Sequence, residues 1–77
     1  MSAHTYKVIE LVGSSSESIQ DAMDGAIARA AETIQNLDWF EVKEIRGNIE
    51  AGKVRWYQVK MDIGFRVLDP KDIHREA

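Results

Sequence analysis

Seventy-seven residues with no cysteine and a formal net charge of −3 make a small acidic chain. At this length one domain (1–77) is expected, burying only about 60% of its unfolded surface and marginal alone, and with disulfides and thiolate metal sites excluded oligomerisation is the expected source of further stability. The acidic balance argues against nucleic acid, no apolar run approaches the roughly 20 residues of a membrane helix, and Met1-Ser2-Ala3-His4 lacks a secretory signal's basic and apolar regions, so a cytoplasmic protein is expected.

Tyr6 to Val12 reads as a first strand, apolar on both parities at Val8, Ile9, Leu11 and Val12, the pattern of a strand covered on both faces. Gly13-Ser14-Ser15-Ser16 reads as a turn, with Ser14 and Glu17 at capping-box spacing. From about Glu17 to Asn36 the apolar residues Ile19, Met23, Ala26, Ile27, Ala30, Ile34 and Leu37 fall in steps of three and four. That spacing predicts one long amphipathic helix. Its alanines favour helicity and close approach to a sheet, whereas Gly25 costs about 1 kcal/mol relative to alanine.

Asn36-Leu37-Asp38 leads into a second strand that opens on adjacent rings, Trp39 and Phe40. A period-2 element sends them to opposite faces, so one fills the core and the other needs a second subunit or a flat ligand. Glu50-Ala51-Gly52-Lys53 is a hairpin connection. The third strand alternates strictly: Tyr57, Val59, Met61, Ile63, Phe65 and Val67 on one face, Trp56, Gln58, Lys60, Asp62, Gly64 and Arg66 on the other. Pro70 opens a polar tail, residues 69–77, leaving a core of about 6–68.

The expected fold class is α+β: a β-α-β-β unit whose three-stranded antiparallel sheet, with the third strand in the middle, partly wraps one long helix. If Ile49 faces Val54, then Phe40 faces Ile63 and Val42 faces Met61 on the helix side, while Trp39 faces Gly64 and Gln58 faces Ile45 on the outer side. The apolar phase of the second strand slips between Val42 and Ile45, which predicts a bulge that re-aims Arg46. The outer face then carries Trp39, Trp56 and Ile45, and a lone helix leaves it uncovered.

Catalytic chemistry finds no foothold. Glu41 and Glu44, three apart on a strand, are expected on opposite faces and make a poor acid–base pair. His4 and His74 have no metal-ligand spacing. The serine run is a turn and cap with no histidine at a motif spacing.

Three segments nevertheless resemble one family in order and spacing: Tyr6-Lys7-Val8-Ile9-Glu10-Leu11-Val12-Gly13-Ser14-Ser15, Leu37-Asp38-Trp39-Phe40-Glu41-Val42-Lys43-Glu44-Ile45-Arg46-Gly47, and Tyr57-Gln58-Val59-Lys60-Met61-Asp62-Ile63-Gly64-Phe65-Arg66. They are similar to the dodecins, small flavin-binding proteins that assemble as hollow homododecamers and hold paired flavins between tryptophans of neighbouring subunits. The resemblance implies a non-enzymatic role in flavin storage, buffering and photoprotection, with FMN or riboflavin as ligand. By position it implies that Trp39 is the stacking ring, with Asp38 beside it. Gln58 is the amide on the polar end of the isoalloxazine and Arg46 lies near the FMN phosphate. Some members also bind coenzyme A, and Lys7, Arg29 and Arg66 match basic positions implicated there, although His4 stands where a lysine would be more favourable. Trp56 departs from the pattern, in which a smaller or charged residue is common, and the tail is longer than in compact members.

Each residue also has a plainer reading: Trp39 as an assembly ring, Gln58 as a solvated strand residue, Arg46 as a surface ion pair with Glu41 or Glu44, Arg29 as a helix-face charge. The corresponding alternative for the whole chain is a structural cage whose outer sheet face serves only oligomerisation. Six residues along the third strand separate Gln58 from Trp39's partner, about 20 Å. One flavin is therefore expected to draw its ring and its amide from different subunits.

Overall fold

A computed structural model describes residues 3–68; the expected 69–77 tail lies outside them. The elements are β1 (Thr5–Ser15), α1 (Ile19–Ala31), β2 (Leu37–Glu50) and β3 (Lys53–Val67), in an antiparallel sheet ordered β1-β3-β2. This is the expected β-α-β-β architecture. Among the described residues no helix is long and apolar enough to cross a membrane.

β1 runs on to Ser15, so Ser14 is a strand residue and Ser18 is the N-cap, its side chain accepting from the Asp21 amide at 2.9 Å. The buried Ser15 takes the role expected of the turn. Its hydroxyl accepts from the Glu17 amide at 2.8 Å and donates to Asp21 Oδ2 at 2.7 Å, tying the strand end to the first helical turn.

The helix ends at Ala31, earlier than its apolar spacing implies. The amides of Glu32 and Thr33 bond back only three residues, to Arg29 and Ala30, which tightens the last turn. The β-branched neighbours Thr33 and Ile34 disfavour continuation. Asn36, at φ 66°, then turns the chain into β2, where Leu37 still packs against the core. Apolar periodicity outruns the helix because Ile34 and Leu37 keep the spacing after the hydrogen bonding has stopped.

α1 lies close over β1. A Cβ at Gly13 would overlap the Ala22 carbonyl oxygen and stand 3.0 Å from Ala26 Cβ. Beneath this contact Ala22, Val59, Met61 and Ile63 are buried, with Ile9, Leu11, Ile19, Met23, Ala26 and Ile27 packed around them.

The expected pairs Phe40–Ile63, Val42–Met61, Trp39–Gly64 and Ile49–Val54 all form, and the expected bulge falls between Val42 and Glu44. Its effect is larger than expected. Gln58 pairs with Arg46 rather than Ile45, and Ile45 pairs with Val59 on the helix side rather than standing on the outer face. Glu41 and Glu44, opposite Asp62 and Lys60, share the outer face instead of being split between two. One unpaired residue, Lys43, inverts the side-chain alternation from that point on.

The helix covers β1 and β3 but not β2. Phe40, assigned to the helix-facing core, lies on the correct side yet is 52% exposed, and Val42, Ile45, Ile49 and Val54 are also uncovered. On β1, apolar on both parities, Ile9 and Leu11 face the core while Val8 and Val12 stand exposed on the outer face. The radius of gyration is 16.1 Å, where a compact domain of this size has about 11 Å. Full burial of an aliphatic or phenyl side chain stabilises by about 1.5–3 kcal/mol, so much of what this sequence can gain is left unrealised in a single protomer.

Candidate functional site

The outer face divides into three zones. At one end, β1 and β2 bring Tyr6 and Trp39 together across β3. Their centroids are 6.3 Å apart at an interplanar angle of 58°. The indole lies over Gly64, where a Cβ would stand 2.6 Å from Nε1 and overlap Cε2 and Cζ2. Any residue but glycine at the middle-strand position would lift the ring.

Asp38 and Arg66 flank this aromatic pair. Interaction with the Asp38 carboxylate raises the Tyr6 phenol above its ordinary 10.0, first through a hydrogen bond, with lesser contributions from burial and charge repulsion, while Arg66 opposes the shift. Asp38 and Arg66 line one recess with Asn36 and Leu37, and the Asn36 carbonyl accepts from the Arg66 amide at 3.1 Å. A second recess of about 120 Å³ lies along the β2 edge, between Trp39, Phe40, Ile27 and Ile63.

The middle zone is charged. Glu10, Asp62 and Glu41 share one rung, compensated by the Lys60–Glu10 and Lys43–Asp62 ion pairs, each at 3.8 Å. The bulged Lys43 thus reaches the outer face to neutralise a row of carboxylates.

At the far end a concavity of about 320 Å³ is lined by Ser14, Arg46, Gly47, Asn48, Trp56 and Gln58. Its size reaches the low end of the roughly 300–1,000 Å³ of small-molecule sites, which the recess beside Trp39 does not. Arg46 lies directly opposite Gln58, and among the described residues no ion pair joins it to Glu41 or Glu44. The guanidinium is thus available to an anion.

Arg46 and Gln58 therefore come together, as do Asp38 and Trp39, but the two groups stand at opposite ends of the outer face. Trp39 faces Gly64, six residues along β3 from Gln58, or about 20 Å, with the charged zone between. The basic residues Lys7, Arg29 and Arg66 do not converge comparably. Lys7 and Arg66 occupy adjacent rungs on opposite faces, opposite Phe65 and Tyr6 respectively, and Arg29 sits in the last turn of α1, where a cation complements the helix dipole.

Two participants escaped the sequence reading. Ser14, read as a cap, lines the Gln58 concavity because β1 continues past Gly13. Tyr6, read only as a strand start, borders Trp39. Gly64 was the available signal, since a middle-strand glycine lets rings from both outer strands meet above it.

A seat for an indole, an amide paired with a guanidinium, and an apolar β2 row left uncovered suit an assembling protein that holds a flat polar ligand. The dodecin family model matches residues 5–68. A dodecin from Thermus thermophilus is 53% identical over 62 residues, covering 80% of this chain and 90% of that protein. The crystal structure of a dodecin from Streptomyces coelicolor superposes with a TM-score of 0.82 at 46% identity, covering 90% of this chain and 99% of that one. A Thermus thermophilus crystal structure, at 49% identity and 0.82, covers 87% and 98% respectively. The chain belongs to the dodecin family of small, non-enzymatic flavin-binding proteins.

Proposed function

We propose that the chain stores and buffers FMN or riboflavin and shields it from photochemistry, acting as a hollow homododecamer with flavins bound where subunits meet. The observation that carries this is Trp39, an exposed indole laid on Gly64 on the face the helix does not cover. Such a ring offers a flat, electron-rich platform without having to be unpacked from a core.

Each residue fits the ligand by its chemistry. Trp39 stacks on the tricyclic ring and, as an electron donor at contact, returns its excited state to the ground state. Gln58 presents a donor and an acceptor together, matching the alternating donor and acceptor groups of the ring's polar edge. Arg46 neutralises the phosphate when FMN is bound. Asp38 favours the protonated Tyr6 phenol, which borders Trp39. The 20 Å between Trp39 and Gln58 supports a site completed by a neighbouring subunit, and the exposed Phe40, Val42 and Ile45 row supports self-association. For coenzyme A the protomer offers Lys7, Arg29 and Arg66 without a common cluster, so flavin is the better-supported ligand.

The test titrates FMN and riboflavin with the purified protein, following flavin fluorescence, and sizes the particle by light scattering. Quenching to saturation by wild type, lost in a Trp39→Ala variant of unchanged size, supports the proposal. Flavin fluorescence that persists at protein excess refutes it. A Trp39→Ala variant that falls apart instead favours the cage whose outer face serves assembly alone.

A further inference from the structure

We infer that Trp56 is a second aromatic wall of the ligand site, standing beside the amide that reads the polar edge of the bound ring. The inference rests on the flavin reading above. Trp56 and Gln58 are two apart on β3 and point to the same face, about 7 Å from each other along the strand. Both line the 320 Å³ concavity that also holds Arg46 and Ser14.

Nothing within the protomer explains the ring. Trp56 is 45% exposed, lies opposite Asn48, and among the described residues joins no aromatic pair; the one such pair is Tyr6 with Trp39, at the other end of the face. An indole so placed has an apolar face free beside a guanidinium, an amide and a hydroxyl. That set recognises a planar heteroaromatic ring with a hydrogen-bonding edge and an anionic substituent. A single protomer thus supplies stacking surface at both ends of its outer face, so the Gln58 end does not depend on a neighbour's Trp39 for all of its ring contact.

Stacking is blind to the phosphate, whereas Arg46 is not, and this separates the two contributions. Dissociation constants for FMN and riboflavin are measured by flavin fluorescence for wild type, Trp56→Leu, Trp56→Tyr and Arg46→Gln, with particle size recorded for each. Trp56→Leu should weaken both ligands alike by about 3- to 10-fold, and Trp56→Tyr should restore most of the loss. Arg46→Gln should weaken FMN selectively.

Equal affinity in Trp56→Leu and wild type overturns the inference and leaves the flavin reading intact. A Trp56→Leu chain that no longer assembles marks the ring as a subunit contact and also overturns it. Absence of flavin binding by wild type removes both readings.

Discussion

The substitution Gly64→Ala tests whether the seat beneath Trp39 positions the stacking ring. The added methyl would stand 2.6 Å from Trp39 Nε1 and nearer still to Cε2 and Cζ2. Ordinary contact needs about 3.5–4.0 Å, so the indole must move by at least about 1 Å. A gap of that size forfeits a quarter to a half of the attraction at each contact it opens. An aromatic pair contributes about 0.5–1.5 kcal/mol beyond its area, so losing most of it lowers flavin affinity by about 2- to 12-fold. Stability should hold level or fall by up to about 2 kcal/mol, because the gain of about 0.5–1 kcal/mol from replacing a strand glycine is offset by about 1–3 kcal/mol of overpacking against the indole.

The assay pairs a flavin titration with a denaturant midpoint. Affinity should fall while the midpoint holds or drops modestly. In a Trp39→Phe background the same change should matter less, since the smaller phenyl ring has no counterpart to the indole Cζ2; the double-mutant cycle isolates that coupling. Wild-type affinity in Gly64→Ala, or a loss equal in both backgrounds, would refute the reasoning.

Gly25 offers the opposite case, with nothing within 4 Å of where an added methyl would stand. Gly25→Ala should therefore raise stability by about 0.5–1 kcal/mol in the denaturant midpoint, and a lower midpoint or a smaller particle would show that a neighbouring subunit covers that helix face. The Tyr6 phenol is held above 10.0 mainly by the Asp38 hydrogen bond. Because the folded value is raised, its stabilisation is complete below pH 10.0 and is lost as pH climbs through the folded value. The difference in tyrosinate absorbance between wild type and Tyr6→Phe isolates this group, and a transition at or below 10.0 contradicts the assignment.

Much of this was legible from period alone. Strict alternation in β3 fixed the centre of the sheet, and four expected pairs in the β2–β3 hairpin formed as counted. The bulge was legible too, because Val42 and Ile45 are apolar three apart where a flat strand would space them by two. Its consequence for Gln58 was not, since the count across the hairpin began at the turn, beyond a second irregularity between Asn48 and Ile49. The helix end was misplaced because side-chain spacing reports packing and not hydrogen bonding. Phe40 was placed on the correct face but not at the correct depth. Alternation gives direction, whereas burial depends on how far one helix reaches across three strands. The stacking role of Trp39 and the amide role of Gln58 came from the resemblance, not from periodicity.

Lys43 is a letter that the ladder skips, since consecutive residues of β3 meet Val42 and Glu44 on either side of it. Were it absent, Glu44 would follow Val42 directly and the same pairs would form in a flat strand, with Ile45 still opposite Val59 and Arg46 still opposite Gln58 on the outer face. A scan that replaces residues one at a time would find Lys43 tolerant, seeing only an exposed ion pair with Asp62. A deletion at this position alone would therefore leave the far end of the face intact and strip one counter-charge from its middle, whereas a deletion at a paired residue beyond it, such as Ile45, would turn the side chains on one side of the gap to the wrong face.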